Sequence, residues 1–153
     1  MKKANPAKVY LMRYRAAKSK AAALERAIAE ARELATNTTV PLKEVSVQTS
    51  GGGEMIANAV IKMVDAEAIL ERMRADARRT MYDVMQAISA VKDQTQQVVL
   101  IEKYINGETL EQIKDRIHYE TRMTQIIHGR ALWAVQKYLR ENGIEVETRG
   151  KQE

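Results

Sequence analysis

The sequence predicts an all-α protein in which a long, coiled-coil-like helical hairpin is followed by a C-terminal helix-turn-helix module. Three observations carry that expectation. Apolar residues recur every three or four positions through two long stretches. The only prolines, Pro6 and Pro41, lie outside the strongest periodic runs, where their rings would break a helix. The remaining third divides into shorter periodic runs separated by turn signals.

The first helix is read from "YLMRYRAAKSKAAALERAIAEARELA". Tyr10, Tyr14, Ala17, Ala21, Leu24, Ile28, Ala31 and Ala35 alternate spacings of four and three, which is a heptad seam suited to close packing against another helix. "TNTT" ends it, because Thr and Asn compete for backbone hydrogen bonds. Residues 36–53, with Pro41 and three consecutive glycines, read as a flexible or partly ordered linker. A second helix is expected from Glu54 to Val91, on a stripe running through Ile56, Val60, Met63, Ala66, Leu70, Met73, Ala77, Met81, Val84, Ile88 and Val91. At 1.5 Å per residue it would reach roughly 55 Å. A helix that long needs a partner stripe, from the first helix or from another chain, and its methionines read as core filler.

The module follows. "TQQVVLIEKYI" offers Val98, Val99, Ile101 and Ile105 as a buried side. "NG" breaks that helix, with Gly107 suited to a left-handed cap. Thr109 and Gln112 have the spacing of a capping box, and Leu110, Ile113 and Ile117 form the inner face of the next helix. "IHY" makes the turn, and the last helix, Glu120 to Leu139, turns Ile127, Ala131, Leu132, Val135 and Leu139 inward. "ENG" stops it at Gly143. The expected organisation is a two-helix region over 1–93, a module over 94–142 and a frayed tail over 143–153.

Composition narrows the chemistry. Phe and Cys are absent and Trp133 is the single tryptophan, so the cores should be thin and disulfides and thiolate metal sites are excluded. No apolar run approaches a membrane span, and the basic N-terminal stretch lacks the apolar core of a secretory signal. The net charge of +5 is unevenly placed. Residues 1–20 hold seven bases and no acid, and residues 121–140 hold four bases (Arg122, Arg130, Lys137, Arg140) and no acid. Two such segments suit a polyanion partner, although a solvated helix surface has the same composition.

The sequence points away from an enzyme. His118 and His128 have no carboxylate at metal-ligand spacing, and "SGGGE" lacks the lysine of a phosphate loop, so no cofactor or metal is expected. His118 reads as a turn residue, His128 as a packing or capping residue, and Trp133 as an anchor between module and long helices.

"LIEKYINGETLEQIKDRI…GRALWAVQKYL" resembles the C-terminal helix-turn-helix of sigma factors, in which a "G-x-[ST]-[LW]-E-E-I-A" helix leads to a recognition helix ending in "RAL". The chain is more similar still to small sigma-like phage and prophage proteins related to the RinA and ArpU late-operon regulators. Their modules end in "HGRAL", matched here by "HGRALWAV" at His128 to Val135. The central "TSGGGEMIANAVIKMVDAEAIL" also resembles theirs, so the likeness spans about Tyr10 to Leu139. It implies a DNA-binding transcription regulator in the cytoplasm of a bacterial host, acting on late packaging and morphogenesis genes. The expected partners are double-stranded DNA, RNA polymerase and a second copy of the chain, with a dimer favoured because two modules gain effective concentration.

Mapped by position, the resemblance makes Thr121, Arg122, Gln125 and Ile126 the outward recognition residues, with Arg130 near the backbone. Arg122 would pair with guanine, Gln125 with adenine and Ile126 with a thymine methyl, whereas Thr121, Tyr119 and Arg130 suit phosphates. The chain departs from the family pattern at the turn, where His118, Tyr119 and Glu120 replace a Gly, an apolar residue and a Ser or Thr cap. Thr124 stands where a core valine is expected, and Ile126 where an arginine is common. Two rivals are a small terminase-like packaging subunit and a helix-turn-helix that binds protein instead of DNA.

Overall fold

The computed structural model describes residues 3–37 and 52–148, leaving aside the side chains of 52–56. The described residues are all-α: α1 (Pro6–Asn37), α2 (Gly52–Ser89), α3 (Gln94–Leu100), a π-helical turn (Ile101–Ile105), α4 (Leu110–Ile117) and α5 (Thr121–Glu141). The linker expected at 36–53 falls mainly on residues outside that description; Thr36 and Asn37 belong to α1, and Gly52 and Gly53 to α2. The chain divides into two compact units, one of residues 1–17 and 77–153 and the other of residues 18–76.

In the unit of residues 18–76, α1 and α2 pair antiparallel within the one chain. Ala21 and Ile28 are buried against Leu70, with Leu24, Met63, Ala66 and Met73 packed around them. Glu25 accepts a hydrogen bond from Arg74 at 2.8 Å, and Arg32 pairs with Glu67. The expected seam holds through Ile28, but Ala31 and Ala35 are exposed. An alanine methyl contributes little apolar area, and around Arg32 an ion pair takes over from apolar packing. Val60 and Met81 also lie exposed where the stripe predicted burial.

The other unit is built on both ends of the described chain. Asn5 caps α1 by accepting from the Ala7 amide at 2.9 Å, and Pro6 fills the first helical position, where a missing N–H costs nothing. Ala7, Tyr10 and Leu11 of α1 then join Val84, Ala87, Ile88 and Val91 in one core with Leu100, Tyr104, Ala131, Leu132, Val135 and Leu139. The core of the C-terminal module is therefore completed by residues before position 94.

Asp93 caps α3 through the Gln96 amide, 2.9 Å away. The helix continues into a π turn, with the Asn106 amide donating to the Ile101 carbonyl at 3.0 Å. The expected buried side is corrected here: Val98 is exposed, whereas Leu100 and Tyr104 are buried. The segment lies between two cores, Leu100 and Tyr104 facing the main one while Val99 packs with Ile113 and Ile127. A single amphipathic stripe cannot describe a helix buried on two sides.

The tail is corrected as well. Gly143 takes φ +62°, and the Ile144 amide donates to the Leu139 carbonyl at 2.9 Å, closing α5 with a left-handed cap. Ile144 and Val146 then pack on the main core, so the chain is not frayed through that point.

Candidate nucleic-acid interface

The helix-turn-helix frame is α4, the turn and α5. Thr109 accepts from the Gln112 amide while the Gln112 side chain accepts from the Thr109 amide at 2.9 Å, a reciprocal cap that fixes the start of α4. At its end His118 adopts φ +57°, the only described non-glycine residue in that region. A glycine would hold this conformation without strain, so the histidine costs about 1–2 kcal/mol there. Tyr119 and Glu120 follow, both exposed, and Glu120 forms the extended N-cap of α5 without a side-chain hydrogen bond.

On α5 the inward side is Thr124, Ile127, Ala131, Leu132, Val135 and Leu139. Thr124 is fully buried; its hydroxyl donates to the Glu120 carbonyl at 3.0 Å, which satisfies the polar group inside an apolar site. The outward side carries Arg122, Gln125, Ile126 and Arg130, all exposed. Among the described residues no carboxylate pairs with Arg122 or Arg130, whereas Arg116 is paired with Glu108 and Lys114 with Glu111 at 2.7 Å.

Thr121 is placed differently from its neighbours. It is half-buried, its hydroxyl accepting from the Lys114 ammonium and donating to the Glu111 carboxylate, each at 3.3 Å. That hydroxyl ties α5 to α4 and is already engaged. The Lys114 hydrogen bond also holds the Glu111 carboxyl below its ordinary range.

Trp133 is 63% exposed, so it is not the anchor the sequence suggested. Its spacing from Ile126 and Arg130 sets it on the outward side of α5, with one flank on a cleft of about 330 Å³ formed with Val91, Lys92 and Tyr138. Met123 and Ile126 are exposed on the same side. The solvent face thus alternates cationic and apolar groups from Arg122 to Lys137. Gly129 lies within it, and nothing stands within 4 Å of where its Cβ would be.

The sequence did not single out the pairing of Tyr104 with His128. Tyr104 is buried, its ring stacks on the imidazole at 5.8 Å between centroids, and its oxygen lies 2.9 Å from Nε2. Burial pushes the tyrosine pKa up to about 12. Burial, followed by repulsion from Lys103 and Lys8, brings His128 down to about 4. The imidazole is therefore neutral near pH 7 and Nε2 accepts from the tyrosine hydroxyl, which puts the ring proton on Nδ1. The only sign in the sequence was the spacing, His128 one residue past the inward Ile127.

Among the described residues, no three of His, Asp and Glu gather in a way that could hold a metal ion, and no helix is long and apolar enough to cross a membrane. No family model, no curated protein and no solved structure matches the chain.

Proposed function

We propose that the chain is a phage or prophage DNA-binding transcription regulator, not an enzyme, which activates late packaging and morphogenesis genes through α4 and α5. The observation that carries this reading is the outward face of α5: Arg122 and Arg130 stand exposed and unpaired among the described residues, with Gln125 beside them, on a helix that has no acid from 121 to 140. A duplex major groove admits such a helix, and the preceding helix and its turn brace it. In this reading Arg122 reads guanine, Gln125 adenine and Ile126 a thymine methyl. Tyr119 and Arg130 meet phosphates, and Thr121 acts by holding the helix start.

A dimer is the assembly this function favours, because one module with a single strong base-reader holds a site weakly. Leu34, Val60, Ile61 and Val64, exposed in the unit of residues 18–76, offer apolar surface to a second copy. RNA polymerase is a further proposed partner, and the bacterial cytoplasm the proposed location.

The test is binding of the purified chain to labelled duplexes from its own genomic neighbourhood, with a salt titration and Arg122→Ala. Selective binding that weakens steeply with salt and loses about 1–3 kcal/mol in the variant is the expected result. Met123, Ile126 and Trp133, exposed on the same face, favour a protein partner as the second reading. Activity indifferent to both Arg122→Ala and Gln125→Ala would select it.

A further inference from the structure

A second cationic feature has no residue of α5 in its walls. A cleft of about 480 Å³ is walled by Lys8, Met12 and Arg15 of α1 together with Lys103, Gly107 and Thr109. Gly107 holds the left-handed backbone of this wall, at φ +81°, with the Arg15 guanidinium beside it. The charges on these walls are unbalanced. Glu108 is the one carboxylate lining the cleft, and it is committed to Arg116. Among the described residues, none of Lys8, Arg15 and Lys103 has an ion-pair partner, although other bases of the same unit, Lys114, Arg116 and Lys137, do.

We infer that this cleft is a phosphate-binding site in which Lys8, Arg15 and Lys103 converge on one phosphate group. Like charges gathered in a concave, partly desolvated site repel one another unless an anion joins them. Burial, and then repulsion from Lys8 and Arg15, hold the Lys103 ammonium below its ordinary range. A phosphate presents several acceptor oxygens to such donors, and a guanidinium fork can engage two of them at once. The site does not depend on α5 reading bases. Its phosphate belongs either to the backbone of a bound strand or to a free ion, and the two sources are separable.

The experiment uses the full chain, with inorganic phosphate as the first probe. Thermal unfolding is followed in sodium chloride and in sodium phosphate at equal ionic strength and pH, for wild type, Lys103→Met and Lys8→Met. Methionine keeps most of the aliphatic stem and removes the charge. Lys8 is exposed, so its variant keeps the test interpretable should Lys103→Met fold poorly. The expected result is a phosphate-specific rise in melting temperature in wild type, with roughly tenfold weaker phosphate binding in each variant. Lys103→Met should melt in chloride at or above wild type, since repulsion is relieved. An equal response to phosphate in all three proteins would overturn the site.

The second probe is a duplex of arbitrary sequence. A salt-dependence slope lower by about one in Lys103→Met assigns the site to a strand phosphate; an unchanged slope beside phosphate-specific stabilisation assigns it to the free ion. Absence of duplex binding in wild type would count against the regulator and leave the inorganic-phosphate result standing by itself.

Discussion

His128 gives the sharpest quantitative prediction. In the folded chain its pKa is about 4, against 6.5 for an unperturbed imidazole, because burial and then Lys103 and Lys8 disfavour the cation. Protonation would also remove the acceptor for the Tyr104 hydroxyl, 2.9 Å away. As pH falls, the unfolded chain takes up this proton first. The contribution to stability is therefore complete above pH 6.5, declines between 6.5 and about 4, and levels off below that. The full linkage over that interval is worth roughly 3 kcal/mol. The ring is only partly buried and solvent screens the two lysines, so about 1–2 kcal/mol is the share expected.

Urea unfolding of wild type and His128→Gln at pH 7.5 and pH 5 isolates this group from the carboxylates, which titrate in both proteins. Glutamine keeps an acceptor for Tyr104 without a titrating proton. The stability advantage of wild type over the variant should shrink by about 1 kcal/mol between the two pH values, since pH 5 lies partway through the decline. A difference independent of pH would refute the argument, as would an NMR titration placing the His128 midpoint near 6.5.

Three further outcomes follow from buried and exposed groups on the same helices. Thr124→Val should be neutral or stabilise by up to about 1 kcal/mol, because the Glu120 carbonyl keeps its bond from the Thr124 amide at 2.9 Å; chemical denaturation measures it. Leu11→Ala should cost about 3 kcal/mol and loosen the module although it lies far from it in sequence, since Leu11 is fully buried in the main core; hydrogen exchange of α5 amides reports the loosening. Gly129→Ala should raise stability by about 0.5–1 kcal/mol, because the site is open and helical, and should weaken duplex binding if a groove wall approaches there; melting and anisotropy together decide it.

Much of the fold was legible because helical periodicity reports one buried face at a time. The inward set on α5 from Ile127 to Leu139, the Thr109–Gln112 box and the pairing stripe around Ile28 and Leu70 were all readable for that reason. The signal failed where that premise does. Leu100 and Tyr104 were missed because their helix is buried on two sides and changes pitch in a π turn. Trp133, read as an anchor between module and long helices, falls instead in the helical register of the outward residues. The resemblance placed Arg122, Gln125 and Arg130 outward, and all three are exposed opposite the inward set. The cleft of Lys8, Arg15 and Lys103 was not legible, since it joins residues from distant parts of the chain that no local pattern relates.

The shared core also has a consequence for synthesis. A ribosome makes Ala7, Tyr10 and Leu11 before any of the residues that bury them, and Ala131 to Leu139, then Ile144 and Val146, come last among those partners. Residues 18–76 intervene even before the first of them, Val84 to Val91, and closing a loop of that length costs roughly 3–4 kcal/mol of chain entropy. The nascent chain must therefore carry an amphipathic segment uncovered until those partners have been made, and its apolar side is open to chaperones and to neighbouring copies for that time. By topology this unit folds only after α5 has been made, whatever the intrinsic speed of its helices.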